Sequence, residues 1–228
     1  MKKFSLLLAV AVLSMSLASC GGDEGTTTDT SAATGDTTAA EEVTTAAPET
    51  TEEVTTAEPE PEYEEVFTPS YIDNFDDPDN TNWKANAQMT DFAVADGYLT
   101  TTSTGGDPSI ANKNDFDLNC DEIDVIVVKF LNGTPSDATQ IFFTTDTTTG
   151  FCEEASYKDV LWNTDIDCSD PAAAAEDDWD TMYYYVGDND LWTGTLKDVR
   201  IDLSNGEGQF VVDYIAFGTV EMVEVTAE

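Results

Sequence analysis

The chain contains no histidine, only 8 lysines and arginines against 47 aspartates and glutamates, and four cysteines in 228 residues. Without histidine there is no Ser-His-Asp or Cys-His nucleophile and no His-ligated zinc. Composition leaves carboxylate chemistry and oxygen-ligated metals open. The formal net charge of −39 excludes nucleic acid as a partner, because phosphate recognition needs a basic footprint. The same charge is repelled by an anionic bilayer, so membrane attachment has to come from lipid. Beyond residue 20 no apolar run is long enough for a hydrocarbon core of about 30 Å. No stretch carries convincing amphipathic helical periodicity, and Ala172–Ala175 is too short to count.

The one apolar run stands at the start. Met1-Lys2-Lys3 is positive, Phe4 to Leu17 is apolar apart from serines, and Leu17-Ala18-Ser19-Cys20 closes it. That order defines a secretory signal peptide. Residues 4–17 would span only about 21 Å as a helix, too short for a permanent membrane span. Leu17-Ala18-Ser19-Cys20, with Gly21-Gly22 behind it, resembles the lipobox of bacterial lipoproteins. The resemblance implies a signal peptide over 1–19, cleavage before Cys20, and acylation of Cys20 as the sole membrane anchor. Two or three acyl chains hold firmly where one is marginal. The expected location is the bacterial cell surface. The alternative is an ordinary signal peptide whose cut falls near Cys20.

Residues 20–66 read as a tether. From residue 21 they are mostly Thr, Ala, Glu, Asp, Pro and Gly with almost no large apolar side chains, and they carry fourteen acids and no base. Low hydrophobicity with charge of one sign cannot offset the entropy of folding, so disorder is expected. Glu41-Glu42-Val43-Thr44-Thr45-Ala46 returns as Glu52-Glu53-Val54-Thr55-Thr56-Ala57, a low-complexity repeat. As a flexible coil the segment reaches about 40 Å r.m.s., a spacer between membrane and domain.

Residues 67–220 carry the aromatics and β-branched residues, followed by an acidic tail over 221–228. The dominant period is two. Val199, Ile201 and Leu203 alternate with Asp198, Arg200 and Asp202; Met182, Tyr184 and Val186 alternate with Thr181, Tyr183 and Tyr185. Each pattern predicts a half-buried strand. Ile123–Leu131 reads as a central strand covered on both faces, with further strands at 140–145, 209–217, 92–95, 98–102 and 109–111. Asp96-Gly97 is a two-residue hairpin turn. Many short strands of this kind predict an all-β fold, an antiparallel jelly-roll β-sandwich.

Gly105-Gly106-Asp107-Pro108-Ser109-Ile110, the strand Val125–Phe130, the run Leu191 to Asp202 and Gly208 to Ile215 together resemble the galactose-binding-like β-sandwich modules of bacterial surface proteins and polysaccharide-degrading enzymes. The resemblance implies a module that is not an enzyme, often binds carbohydrate and often holds a structural Ca²⁺. In a regular strand Asp213 shares a face with Val211, Ile215 and Phe217; if that face is buried, its carboxylate needs a partner or a metal. The family places such an aspartate beside acids of the first strand, here Asp73-Asn74-Phe75-Asp76-Asp77, so Asp76 and Asp213 are the metal candidates. The alternative is an Asp213 satisfied by backbone N–H groups. Asp115-x-Asp117-x-Asn119 starts like an EF-hand loop, but Cys120 stands where glycine is required and Ile126 where the bidentate glutamate belongs.

Sugar rings stack on exposed aromatics, which offer rigid apolar area at low entropy cost. The carbohydrate-binding candidates are Trp83, Trp162, Trp179, Tyr183 and Tyr185, with Trp192 more regular and expected in the core. Downstream of Cys20 lie Cys120, Cys152 and Cys168. Export permits a disulfide, and a Cys152–Cys168 bridge would close a short loop worth about 3 kcal/mol. Three reduced thiols are the alternative. The function these readings predict is a surface-anchored, non-catalytic glycan binder. The alternative is a structural or adhesion module of the envelope with a protein partner and no sugar site.

Overall fold

A computed structural model describes residues 62–225. The signal peptide, Cys20, nearly all of the tether and residues 226–228 lie outside the described residues. Two antiparallel six-stranded sheets face each other across one core, the sandwich that the alternation predicts. The first sheet holds β3 (Met89–Ala95), β4 (Tyr98–Ser103), β7 (Val125–Asn132), β10 (Asp180–Tyr184) and β12 (Gly208–Glu224), in the order β10-β7-β12-β4-β3, with β1 (Tyr63–Asp73) also on β12. The second holds β2 (Trp83–Ala85), β5 (Ile110–Asn112), β8 (Ala138–Thr145), β9 (Ser156–Val160) and β11 (Thr195–Asp202), in the order β2-β5-β11-β8-β9, with β6 (Leu118–Asn119) also on β11. The helical elements among the described residues are three-residue 3₁₀ turns. None is long and apolar enough to cross a membrane.

The alternation is realised side chain by side chain. Ile126, Val128 and Phe130 of β7 meet Ile141 and Phe143 of β8 and Val199 and Ile201 of β11, all fully buried. Each such side chain contributes roughly 1.5–3 kcal/mol on burial. Asp96 and Gly97 both take positive φ, 55° and 82°, the twist that a tight hairpin between β3 and β4 requires.

The domain reaches further at both ends than composition indicates. β1 begins at Tyr63, inside the stretch assigned to the tether, and β12 runs to Glu224, inside the assigned tail. They pair residue for residue from Tyr63↔Glu224 to Phe67↔Val220. Glu64, Glu65, Glu221 and Glu224 hide the strands from a composition argument, although their backbones join the ladder as the apolar neighbours' do. Gly218 keeps this pairing close: a Cβ there would stand 2.1 Å from the Thr68 carbonyl.

β12 corrects the expected face of Asp213. A bulge falls between Val212 and Tyr214. Phe210 and Val212 before it, and Ile215 and Phe217 after it, enter the core. Val211 packs instead with Leu131 and Cys168 on the outer face. The extra residue shifts the register by one, so Asp213 lies on the opposite face from Ile215 and Phe217.

The cysteines are corrected as well. Cys120, Cys152 and Cys168 are all free thiols. Cys152 packs against the main core, whereas Cys168 belongs to the small outer cluster with Leu131 and Val211. Nearness in sequence does not bring Cys152 and Cys168 together, because the chain between them passes from one sheet to the outer face of the other. Burial pushes the Cys120 and Cys168 thiols up to about 11. Thiol titration in denaturant is expected to find three groups downstream of Cys20, with Cys120 and Cys168 silent in the native state. Finding one would mean a bridge.

Candidate functional site

The outer face of the first sheet gathers a group of half-buried aromatic side chains. Small and apolar positions form its floor: Val127 of β7 and Ala216 of β12 are fully buried although they point away from the core. Over this floor Tyr183 of β10 meets Phe67 of β1 edge to face, ring centroids 6.4 Å apart. On a flat sheet those strands, three spacings apart, would be separated by about 14 Å. The two rings therefore lean toward each other and cover the floor between them. Tyr185 extends the row, its hydroxyl donating to Glu65 at 3.1 Å. Tyr214, on the outer face beyond the bulge, lies opposite Lys129.

At the other end, Trp179 and Tyr98 stack at 5.9 Å and 21° over Leu131 and Val211. Lys129 stands between the two groups of rings. Its ammonium is 5.4 Å from the Trp179 ring centroid, 2.8 Å from Glu176 and 3.6 Å from Asp213. This cation is thus already held by two carboxylates and one π-face. Beside Tyr98 a cleft of about 350 Å³ opens, lined by Asp96, Thr100, Asp170 and Gln209 among others.

The electrostatics keep this face uncharged at its tyrosines. Burial first, and then the hydrogen bond to Glu65, pushes Tyr185 up to about 12. Burial likewise raises Tyr183 and Tyr214, with nearby Glu65 and Tyr183 respectively adding to the effect. Burial also raises the Asp213 carboxyl, and Lys129 pulls it back. The arrangement offers flat apolar rings, phenolic donors and carboxylate acceptors side by side.

The candidates drawn from the sequence divide. Trp179, Tyr183 and Tyr185 come together on this face. Trp162 is 88% exposed, just past β9 at the edge of the second sheet. Trp83 is a correction: it is fully buried between the sheets, beside Phe116, and its indole N–H has no partner. Phe116, more than thirty residues further along the chain, packs on its ring with centroids 5.7 Å apart, which the polar residues around position 83 did not signal. Trp192 is core as expected, its indole N–H donating to the Cys120 and Ile123 carbonyls.

The proposed calcium pair does not fit a metal ion. The Asp213 carboxylate has the Lys129 ammonium 3.6 Å away, which a cation would have to oppose. Asp76 accepts from the Asn74 amide at 2.7 Å. Among the described residues no group of three or more Cys, Asp or Glu side chains is placed to hold a metal.

Sequence reasoning missed Phe67, Tyr98, Tyr214 and Lys129. Tyr98 was within reach, since Tyr98, Thr100 and Thr102 alternate with the buried Leu99, Thr101 and Ser103. Lys129 was visible too, as the one charge in an apolar strand. Phe67 and Tyr214 depend on the pairing of β1 and on the bulge, and had no local signal.

No known family profile matches the chain, and no curated protein matches it. Several solved structures are similar in fold. One is the family 11 carbohydrate-binding module of the cellulosomal cellulase Lic26A-Cel5E of Clostridium thermocellum, 12% identical with a TM-score of 0.42, covering 67% of this chain and 95% of that one. Another is a module described as specific for non-crystalline cellulose, 18% identical with a TM-score of 0.42, covering 64% and 91%. A third is a low-affinity xylan-binding module from Roseburia intestinalis, 8% identical with a TM-score of 0.35, covering 61% and 96%. Likeness at this level transfers neither a ligand nor a site residue to this chain.

Proposed function

We propose that the chain is a non-catalytic glycan-binding lipoprotein, exported and held at the bacterial surface by acylated Cys20, with the acidic segment as its tether. The observation that carries the reading is the aromatic face of the first sheet, where Tyr183, Tyr214, Trp179 and Tyr98 stand among hydrogen-bonding groups that include Glu176, Asp213 and Gln209. Pyranose rings have an apolar face and a rim of hydroxyls, and such a surface meets both. A single site of this kind binds at around millimolar, about −4 kcal/mol. Many copies on one surface raise the effective strength through avidity.

Affinity electrophoresis tests it, with mixed-linkage β-glucan, xylan or hydroxyethylcellulose in the gel. The expected result is retardation by at least one polysaccharide, unchanged by EDTA, and lost in Trp179→Ala and Tyr98→Ala. Retardation by none of these or of a wider polysaccharide panel would reject the glycan reading in favour of an envelope module with a protein partner. Loss on adding EDTA would restore a metal to the account.

A further inference from the structure

Trp162 follows β9, an edge strand of the second sheet, and Trp179 precedes β10, an edge strand of the first, and one buried carboxylate ties the two segments together. Asp180, the first residue of β10, is 1% exposed. It accepts the Trp162 N–H at 3.0 Å and the Asn163 N–H at 3.3 Å. The Asn163 side chain then donates to the Asp177 carbonyl at 3.0 Å, closing the link to the turn that carries Trp179. Among the described residues no lysine or arginine forms an ion pair with Asp180. A buried carboxylate without a cation is costly to keep, and burial raises its pKa. What it secures is local: a tryptophan whose backbone is fixed while its indole stays in solvent. Leu161, just before it, is buried and its N–H bonds to the Asp137 carbonyl, which fixes the segment from the other side.

We infer that Trp162 and Trp179 form one continuous glycan track that leaves the outer face of the first sheet and turns over the β9/β10 edge, with Asp180 as its positioning residue. This rests on the glycan reading above and deepens it. A chain lying only on the sheet face would not need Trp162, and a ligand too short to turn the edge would not reach it. The track therefore takes an extended glycan chain rather than a terminal sugar.

The test uses the full chain and the polysaccharide that retards it most, together with the hexasaccharide of that glycan. Trp162→Ala is expected to weaken polymer binding about tenfold, the size of one lost aromatic contact, with an unchanged melting temperature. Asp180→Asn is expected to reproduce that loss with Trp162 still present, because the two backbone N–H groups go to separate carboxylate oxygens, one of which the amide replaces with an NH2 donor. Should Asp180→Asn fail to fold, Trp162→Ala decides alone. Calorimetry is expected to find one hexasaccharide per chain. Wild-type polymer affinity in Trp162→Ala would overturn the track and leave the sheet-face reading standing. Two hexasaccharides per chain would also overturn it, as separate sites. Binding of no polysaccharide by the wild type would remove both readings.

Discussion

Trp192→Ala is expected to destabilise the domain by about 3–5 kcal/mol, the range for truncating a large core aromatic. The indole fills the space against Phe143 at 4.9 Å and satisfies two backbone carbonyls, of Cys120 and Ile123, that would lose their donor. At the size of this domain that is a fall in Tm on the order of 10 °C. Trp162→Ala should stay within about 0.5 kcal/mol of wild type, as exposed substitutions do. Differential scanning calorimetry of the two variants side by side checks the pair. Equal losses would mean that Trp162 is packed, and the exposed ring described above would have to be abandoned.

The second large effect concerns pH, and its sign is opposite to ordinary acid denaturation. Asp202 is pushed up to about 6, by burial first, against the pull of its own ion pair with Arg200. Arg200 cannot restore it fully, because it also serves Asp107. An unfolded aspartate titrates near 3.9, so the folded chain binds this proton more tightly than the unfolded chain. Stability is gained as pH falls through about 6 and is complete below about 4. A shift of roughly two units corresponds to about 2–3 kcal/mol. Asp73, Asp180 and Asp213 are raised in the same direction, each by burial first. Acidification also relieves the self-repulsion of a chain with a formal charge of −39. The melting temperature is therefore expected to rise from pH 7 to about pH 4.5, and Asp202→Asn should flatten that slope. A Tm that falls steadily over the same interval would contradict the burial assigned to these carboxylates.

Much of the architecture was legible because a period of two is a local signal. Val199, Ile201 and Leu203 of the 197–203 segment, Met182 and Tyr184, the apolar run of β7 and the Asp96-Gly97 turn could each be read within a few residues. The site was legible only in part, for reasons of range. Four tryptophans are chemically identical in the sequence, yet Trp83 and Trp192 are core, Trp179 lies half-covered and Trp162 stands free. Which is which depends on strands distant along the chain. The bulge in β12 shows the same limit: nothing near Asp213 marks the extra residue, and one residue is enough to turn the carboxylate from the core side to the Lys129 side. The cysteine pairing failed likewise, because sequence separation measures the cost of closing a loop and not where its ends are anchored.

The pairing of β1 with β12 also has a mechanical meaning. The chain enters the domain at Tyr63, beside Glu224, at the far end of the two-stranded ribbon. A pull on the preceding residues, directed outward along β1, loads the ladder from Tyr63 to Asp73 lengthwise. Its bonds then share the force in shear and do not open one after another. On the lipoprotein and glycan-binding reading proposed above, a domain moored by its leading strand in this way would hold against drag from a captured polymer far better than one moored at a loop.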